Sequence, residues 1–292
     1  MGPEEQLSWK DEALDFLLQA IAGDPSLRQM LVFKGARILY MGLGVPGRKS
    51  LDLDATLQLD ESGAPSERVA GDIEQALERV LRIAVRRDDP VRYRFQRVRV
   101  IPDPQRRHPH GWQGYTVTIN LDDLRRPGTL GVPKLEIDIA APETLRSGAV
   151  TELHVRNGSV LAYSLARQSA EKLRAFLQSS PAWRAKMHST DRAIRVKDLV
   201  DLVAVVRQYP IDDGAFWDRV ADEFVLACEE RLVDCEGWST FEATERDTRS
   251  TFAGDVGLQR LVTMDMCWGV LRSVVDGLSE RKVFPVRHPL DA

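Results

Sequence analysis

Only three cysteines occur in 292 residues, Cys228, Cys235 and Cys267, an odd number at wide spacings. That excludes a disulfide framework or a zinc knuckle as the organising device and fits reduced thiols in an intracellular compartment. No apolar run approaches the roughly 18 residues needed to span a bilayer. The acidic opening MGPEEQLSWKDEALDF lacks the basic-then-apolar order of a secretory signal. We therefore expect a cytoplasmic chain with no membrane segment. A strong charge of one sign is missing too: a net charge of -4 argues against wholesale wrapping of nucleic acid, though it can hide local basic patches.

What is present is a 43% hydrophobic fraction beside 29% charged residues, enough for a sizeable core and two domains. Residues 10–22 are apolar at helical spacing, and Asp24 and Pro25 supply a cap and first-turn residue for a second helix. LVFKGARILYMGL reads as a short strand ending near Phe33, a turn through Lys34 and Gly35, then a helix. KSLDLDATLQL alternates with the period of a strand, and residues 66–87 form an amphipathic helix. VRYRFQRVRVI, GYTVTINL and KLEIDIA are further strands, the first two joined by the long loop PDPQRRHPHGWQ. From about Leu161 onward, helical patterns replace strands. The predicted architecture is α+β: a mixed-sheet domain over residues 1–155, a boundary within LRSGAVTELHVRNGS, and an all-helical domain over residues 156–292.

In GRKSLDLDAT, strand periodicity puts Ser50, Asp52 and Asp54 on one face and Leu51, Leu53 and Ala55 on the other. Neighbouring carboxylates repel unless a cation lies between them or one is protonated, and hard oxygen ligands suit Mg²⁺ or Mn²⁺. KLEIDIA aligns Glu136 with Asp138 in the same way. Beside the first strand, either of them adds a third carboxylate to a site for ions that clamp a nucleotide's phosphates and activate a hydroxyl. KGAR adds Gly35, where backbone can approach phosphate closely, with helix N-terminal amides behind it. A lone D-x-D is usually the wet face of an exposed strand, and K-G is a common turn. The ordered set of strand, glycine and helix, then D-x-D, then h-E-h-D-h is what describes phosphoryl or nucleotidyl transfer.

VFKGARILY, RKSLDLDATL, KLEIDI, SAEKLRAFL and RVKDLVDL resemble, in order and spacing, the AbiEii/AbiGii family of nucleotidyltransferase toxins, which includes MenT-like toxins. The family pattern runs F-K-G-G-T-x-L, R-x-S-x-D-I-D, a third acid on a later strand, A-x-K-L and R-x-x-D-x-x-D. The resemblance covers about residues 30–205. It implies a polymerase-β-like nucleotidyltransferase domain with a helical C-terminal domain, Mg²⁺ or Mn²⁺ as cofactor, an NTP as substrate and an antitoxin as partner. Some MenT-like members add pyrimidines to the tRNA 3′ end, so an RNA acceptor, tRNA first, is implied as well. Carried over by motif, Asp52 and Asp54 are the metal-binding acids, Ser50 the serine of that motif, and Lys172 the lysine that meets the triphosphate. Asp198 matches the later catalytic-site aspartate, and Glu136 and Asp138 are both candidates for the third acid, with Asp138 favoured. Lys34 or Arg37 would help to neutralise departing pyrophosphate. The family's second glycine and its Thr or Ser are replaced by Ala36 and Arg37, which removes backbone freedom and a hydroxyl while adding a charge.

Without the motif, Lys172 would be a solvated helix lysine and Asp198 an ordinary surface acid. With it, Lys172 could reach phosphate across an interdomain cleft, and Arg195 could contact phosphate or pair with Asp198 or Asp191. The run RRDDPVRYRFQRVRV carries six arginines interleaved with Tyr93 and Phe95, the look of a surface for RNA phosphates with stacking aromatics or of a solvated strand face. Arg106, Arg107, Arg125 and Arg126 extend its basic character. His108 and His110 lack a third ligand and receive no role, and the sequon at Asn157 means nothing outside the secretory route. Two rivals stand beside RNA transfer: a protein or small-molecule acceptor, and an inactive binding protein on the same fold.

Overall fold

The computed structural model describes the chain except residues 1, 47, 49, 59–64, 89, 105–111, 127–131, 141, 157, 190–192 and 289–292. It divides into two compact units, Met1–Tyr163 and Ser164–Ala292.

The first unit opens with helices α1 (Pro3–Ala22) and α2 (Pro25–Met30), the second capped by Asp24, whose carboxylate accepts from the Leu27 amide. Strand β1 (Leu31–Lys34) runs straight into α3 (Gly35–Leu43). β2 (Leu53–Leu57) and the amphipathic α4 (Ser66–Arg87) follow, then β3 (Tyr93–Asp103), β4 (Gly114–Asp123) and β5 (Leu135–Ala140). A final hairpin, β6 (Val150–Val155) with β7 (Gly158–Tyr163), completes a seven-stranded sheet in the order β3-β4-β5-β2-β1-β7-β6. β2–β5 and β1–β7 are parallel and the remaining pairs antiparallel, so the sheet is mixed as expected.

Alternation explains which face is buried. Leu53, Ala55 and Leu57, Val98 and Val100, Val117 and Ile119, and Leu135, Ile137 and Ile139 share one core with Leu14, Leu17 and Ile21 of α1 and Ile73, Leu77 and Leu81 of α4. Burying these side chains, at about 1.5–3 kcal/mol each, is what fixes the register. The interval 145–160, where the sequence places the domain boundary, holds β6 and the start of β7. The physical reason is edge pairing: β6 bonds only to β7 and has no fully buried residue, so it shows no alternation to read.

The second unit is helical: α5 (Leu165–Gln178), α6 (Pro181–Lys186), α7 (Val196–Gln208), α8 (Gly214–Glu230), α9 (Trp238–Glu242), α10 (Glu245–Ala253), α11 (Val256–Gln259) and α12 (Met264–Glu280). Asp213 caps α8 by accepting from the Phe216 amide. Among the described residues no helix is long and apolar enough to cross a membrane.

Candidate active site

With Leu53, Ala55 and Leu57 turned to the core, Asp54 faces the other side of the sheet. Parallel pairing sets Asp54 opposite Asp138 on β5, antiparallel pairing sets Lys34 opposite Asp54 on β1, and Thr116 of β4 lies opposite Asp138. Neighbouring strands are about 4.8 Å apart, so Lys34, Asp54, Asp138 and Thr116 form one row across four strands. Asp52 precedes β2, and its Oδ1 accepts a 2.7 Å hydrogen bond from the nearly buried Ser50 hydroxyl. Glu136 is one residue pair along, opposite Thr118.

The row is electrostatically loaded. Burial, then the negative charges of Asp54, Asp52, Glu136 and Asp103, push the Asp138 carboxyl up to about 6, even though solvent still reaches its side chain. Carboxylates gathered in this way are the donor chemistry of a hard divalent cation. The sequence assigns Asp52, Asp54 and Asp138 to such an ion. Among the described residues no group of three or more aspartate, glutamate, histidine or cysteine side chains is placed to hold a metal ion.

Gly35, the first residue of α3, has φ +83°, and a Cβ there would stand 2.0 Å from Oδ2 of Asp54. Lys34 Nζ lies 2.9 Å from the Glu143 carboxylate and 5.2 Å above the Tyr163 ring. Arg37 is engaged by Asp11 and Asp15 of α1. The charge that the sequence reading offered to phosphate at Arg37 is thus answered by carboxylates.

In the helical unit Lys172 is 6% exposed, with Nζ 3.0 Å from Asp198 Oδ1 and 2.8 Å from Asp201 Oδ2. Arg195 Nε is 2.6 Å from the other oxygen of Asp198. Asp198 is fully buried rather than a surface acid. Burial alone would raise its carboxyl, but Lys172 and Arg195 outweigh that and bring it down to about 2. Lys172 is likewise an ion-paired core residue, not a solvated lysine. Asp201 escaped the sequence reading, although it is the second acid of R-x-x-D-x-x-D and, three residues from Asp198, shares its helix face. Asp103 and Glu143 left no signal, because they meet the site only through the fold.

Tyr93 and Phe95 do not interleave with the arginines as stacking platforms. Tyr93 is 1% exposed, packed against Trp9 and Phe16 of α1, and Phe95 lies beneath Arg82 of α4. Arg125 and Arg126 are tied to Asp123 and to Glu12 and Glu5 of α1, away from the acid row. Arg106, Arg107, His108, His110, Asn157 and Asp191 lie outside the described residues.

No curated protein matches the chain in sequence. One solved structure that matches is the solution structure of the antibiotic-resistance factor ANT(2'')-Ia, 16% identical, with 84% of this chain and 95% of that one covered and a TM-score of 0.30. Residues 17–257 match the family described as nucleotidyl transferase AbiEii toxin, type IV TA system, and on that match, which spans most of its length, the chain belongs to this family of nucleotidyltransferase toxins from toxin–antitoxin systems.

Proposed function

We propose that this toxin transfers a nucleoside monophosphate from an NTP to the 3′ hydroxyl of tRNA in the cytoplasm, using Mg²⁺, and so blocks translation until an antitoxin restrains it. The observation that carries the site is the pairing of Asp54 with Asp138 on adjacent parallel strands, where burial and then the neighbouring acids lift Asp138 to about 6. The tRNA end is supported by the likeness of the motifs to MenT-like toxins.

Asp52, Asp54 and Asp138 would hold the cation. Such an ion would supply polarisation of the α-phosphate and a lowered pKa for the attacking hydroxyl. Ser50 fixes the Asp52 carboxylate through its 2.7 Å hydrogen bond, and Gly35 leaves the Asp54 carboxylate its place against the start of α3. The acceptor oxygen forms a bond to the α-phosphorus, the bond from that phosphorus to the bridging oxygen breaks, and pyrophosphate leaves with the electron pair. The hydroxyl proton leaves to water, which reaches the exposed Asp138 end of the row. Lys34, Arg37, Lys172, Arg195 and Asp198 keep nucleotide-handling assignments from the motif. Lys34, Arg37 and Lys172 are held by carboxylates in this structure, so binding a triphosphate requires an exchange of partners.

The test is direct. Purified toxin is incubated with total tRNA, Mg²⁺ and each labelled NTP in turn, and the products are resolved on a sequencing gel. Label on tRNA from the parent, absent with Asp52→Ala or Asp54→Ala, is expected. Label on protein or a small molecule with none on RNA would overturn the acceptor, and full toxicity of Asp54→Ala would overturn the chemistry.

A further inference from the structure

The arginine-rich strand β3 sorts its residues by face. Val98 and Val100, opposite Ile119 and Val117, are buried with them, so Arg97, opposite Asn120, and Arg99, opposite Thr118, turn to the face that carries the acids. β4 and β5 continue those rows. Thr118 is opposite Glu136 and Thr116 opposite Asp138. Lys134, directly before β5, extends the exposed set Lys134, Glu136 and Asp138, while Leu135, Ile137 and Ile139 are buried. Successive rows on one face are two residues apart, about 7 Å. Arg99 therefore stands one row from the Asp54–Asp138 row, and Arg97 stands two rows away, roughly 14 Å along the strand. Continuing the β4–β5 register one residue past its last pair, Ile119 with Leu135, would bring Lys134 level with Asn120 and Arg97.

We infer that Arg97, Arg99 and Lys134 form the track along which a nucleic-acid acceptor lies, with its terminal hydroxyl at the acid row and the phosphates behind it on these cations. The inference rests on the RNA-acceptor reading above and deepens it. All three side chains are exposed, and among the described residues none of them forms an ion pair or a side-chain hydrogen bond. Arg94, on the same face, is by contrast neutralised by Asp122 at 2.6 Å. Arg97 and Arg99 are separated from the acids of β5 by the neutral strip Thr116, Thr118 and Asn120 of β4, whose polar groups suit sugar and phosphate oxygens, while Lys134 follows Glu136 on β5 itself. The row spacing is close to the distance between successive phosphates of an extended strand. Repulsion from the acids keeps backbone phosphates off the catalytic row, and attraction two rows back sets the register of the end. A small-molecule acceptor or a single protein side chain would have no phosphates to place there.

The test reads binding separately from chemistry. Binding of fluorescently labelled tRNA is measured without NTP across a salt series for the parent, for R97A, R99A and K134A singly, and for the triple variant. The control R86A removes the same kind of charge from the end of α4, on the helix-covered side. The triple variant is expected to bind tRNA roughly tenfold more weakly or worse, with a log–log salt slope smaller by about 2. In the transfer assay the KM for tRNA should rise by a similar factor while the KM for NTP stays unchanged. Equal tRNA binding by parent and triple variant, an equal loss in R86A, or a rise in the NTP KM instead would overturn the track. Failure of the parent to label any RNA would sink the transfer reading, while the binding series would still decide the track.

Discussion

The carboxylate of Asp54 occupies the space that a side chain on Gly35 would need: a Cβ there would lie 2.0 Å from Oδ2, and the glycine φ of +83° is itself one that other residues rarely adopt. The start of α3 and the Asp54 carboxylate are therefore one piece of geometry. Gly35→Ala must either bend the backbone or displace the carboxylate, and displacement by about 1 Å at a reacting centre costs on the order of 100-fold in rate. We predict a transfer rate reduced by at least that factor, with a loss of stability of roughly 1–2 kcal/mol or less, as is usual when a positive-φ glycine is replaced. Single-turnover kinetics and a urea melt check both. A Gly35→Ala protein with parental rate would show that Asp54 need not stay where it is.

Asp138 is held high by burial first and then by the negative charges of Asp54, Asp52, Glu136 and Asp103. An ion that binds the folded site and not the unfolded chain stabilises by mass action, about 2.7 kcal/mol at a hundredfold excess over Kd. Millimolar Mg²⁺ should thus raise the melting temperature of the parent, and EDTA should reverse the gain. The Asp54→Asn/Asp138→Asn double variant has lost the repulsion that the ion relieves. It should melt higher than the ion-free parent, gain nothing from Mg²⁺ and transfer no nucleotide. An equal Mg²⁺ shift in parent and variant would remove these acids from the metal site.

What the sequence made legible was whatever obeys a simple period. LEIDI alternates because one face of β5 is buried, and Leu53, Asp54 and Ala55 follow the same rule in β2, so Asp54 and Asp138 could be placed on the acid face without any structure. Leu51, expected to turn inward with Leu53, instead lies before β2 and is exposed while Ser50 is buried, because no strand pairing holds that stretch to the period. The arginine strand defeated the same arithmetic. Tyr93, Phe95, Arg97 and Arg99 have one parity and should share a face, but the bulge between Phe95 and Arg97 reverses it, sending the aromatics to the helices and the arginines to the acid side. Helix periodicity failed at Lys172, Asp198 and Asp201 for another reason. It assigns charged residues to the wet face, whereas here opposite charges neutralise one another inside the core.

That buried cluster makes Lys172 a demanding target for mutagenesis. Removing its ammonium group leaves Asp198 and Asp201, both 0% exposed, without their shared counter-charge. Breaking a buried pair in this way typically costs about 3–5 kcal/mol. Lys172→Met should therefore be poorly folded, and lost toxicity alone would not assign it to the nucleotide. The informative protein is Lys172→Met/Asp198→Asn/Asp201→Asn, from which the three buried ions are gone together and only the largely exposed Arg195 keeps its charge. It should recover much of the stability in a urea melt. If Lys172 meets the triphosphate, the KM for NTP stays raised or activity stays absent. Recovery of parental kinetics would make the lysine purely structural.

Asp198 also fixes how stability responds to acid. Its carboxyl lies at about 2, below the ordinary value of 3.8, because Lys172 and Arg195 outweigh the cost of burial. The folded state therefore binds this proton less readily than the unfolded chain. Its contribution is fully present above about pH 4 and is lost as the pH falls through 2. Urea unfolding of the parent and of Asp198→Asn, measured at intervals from pH 6 down to pH 2, isolates it, since the other carboxylates titrate in both proteins. The stability gap should be constant above pH 4 and shrink below it, by about 2 kcal/mol at most. A gap that stays flat to pH 2 would mean that Asp198 titrates alike in both states, and the ion pairs drawn to it from Lys172 and Arg195 would then contribute nothing to the fold.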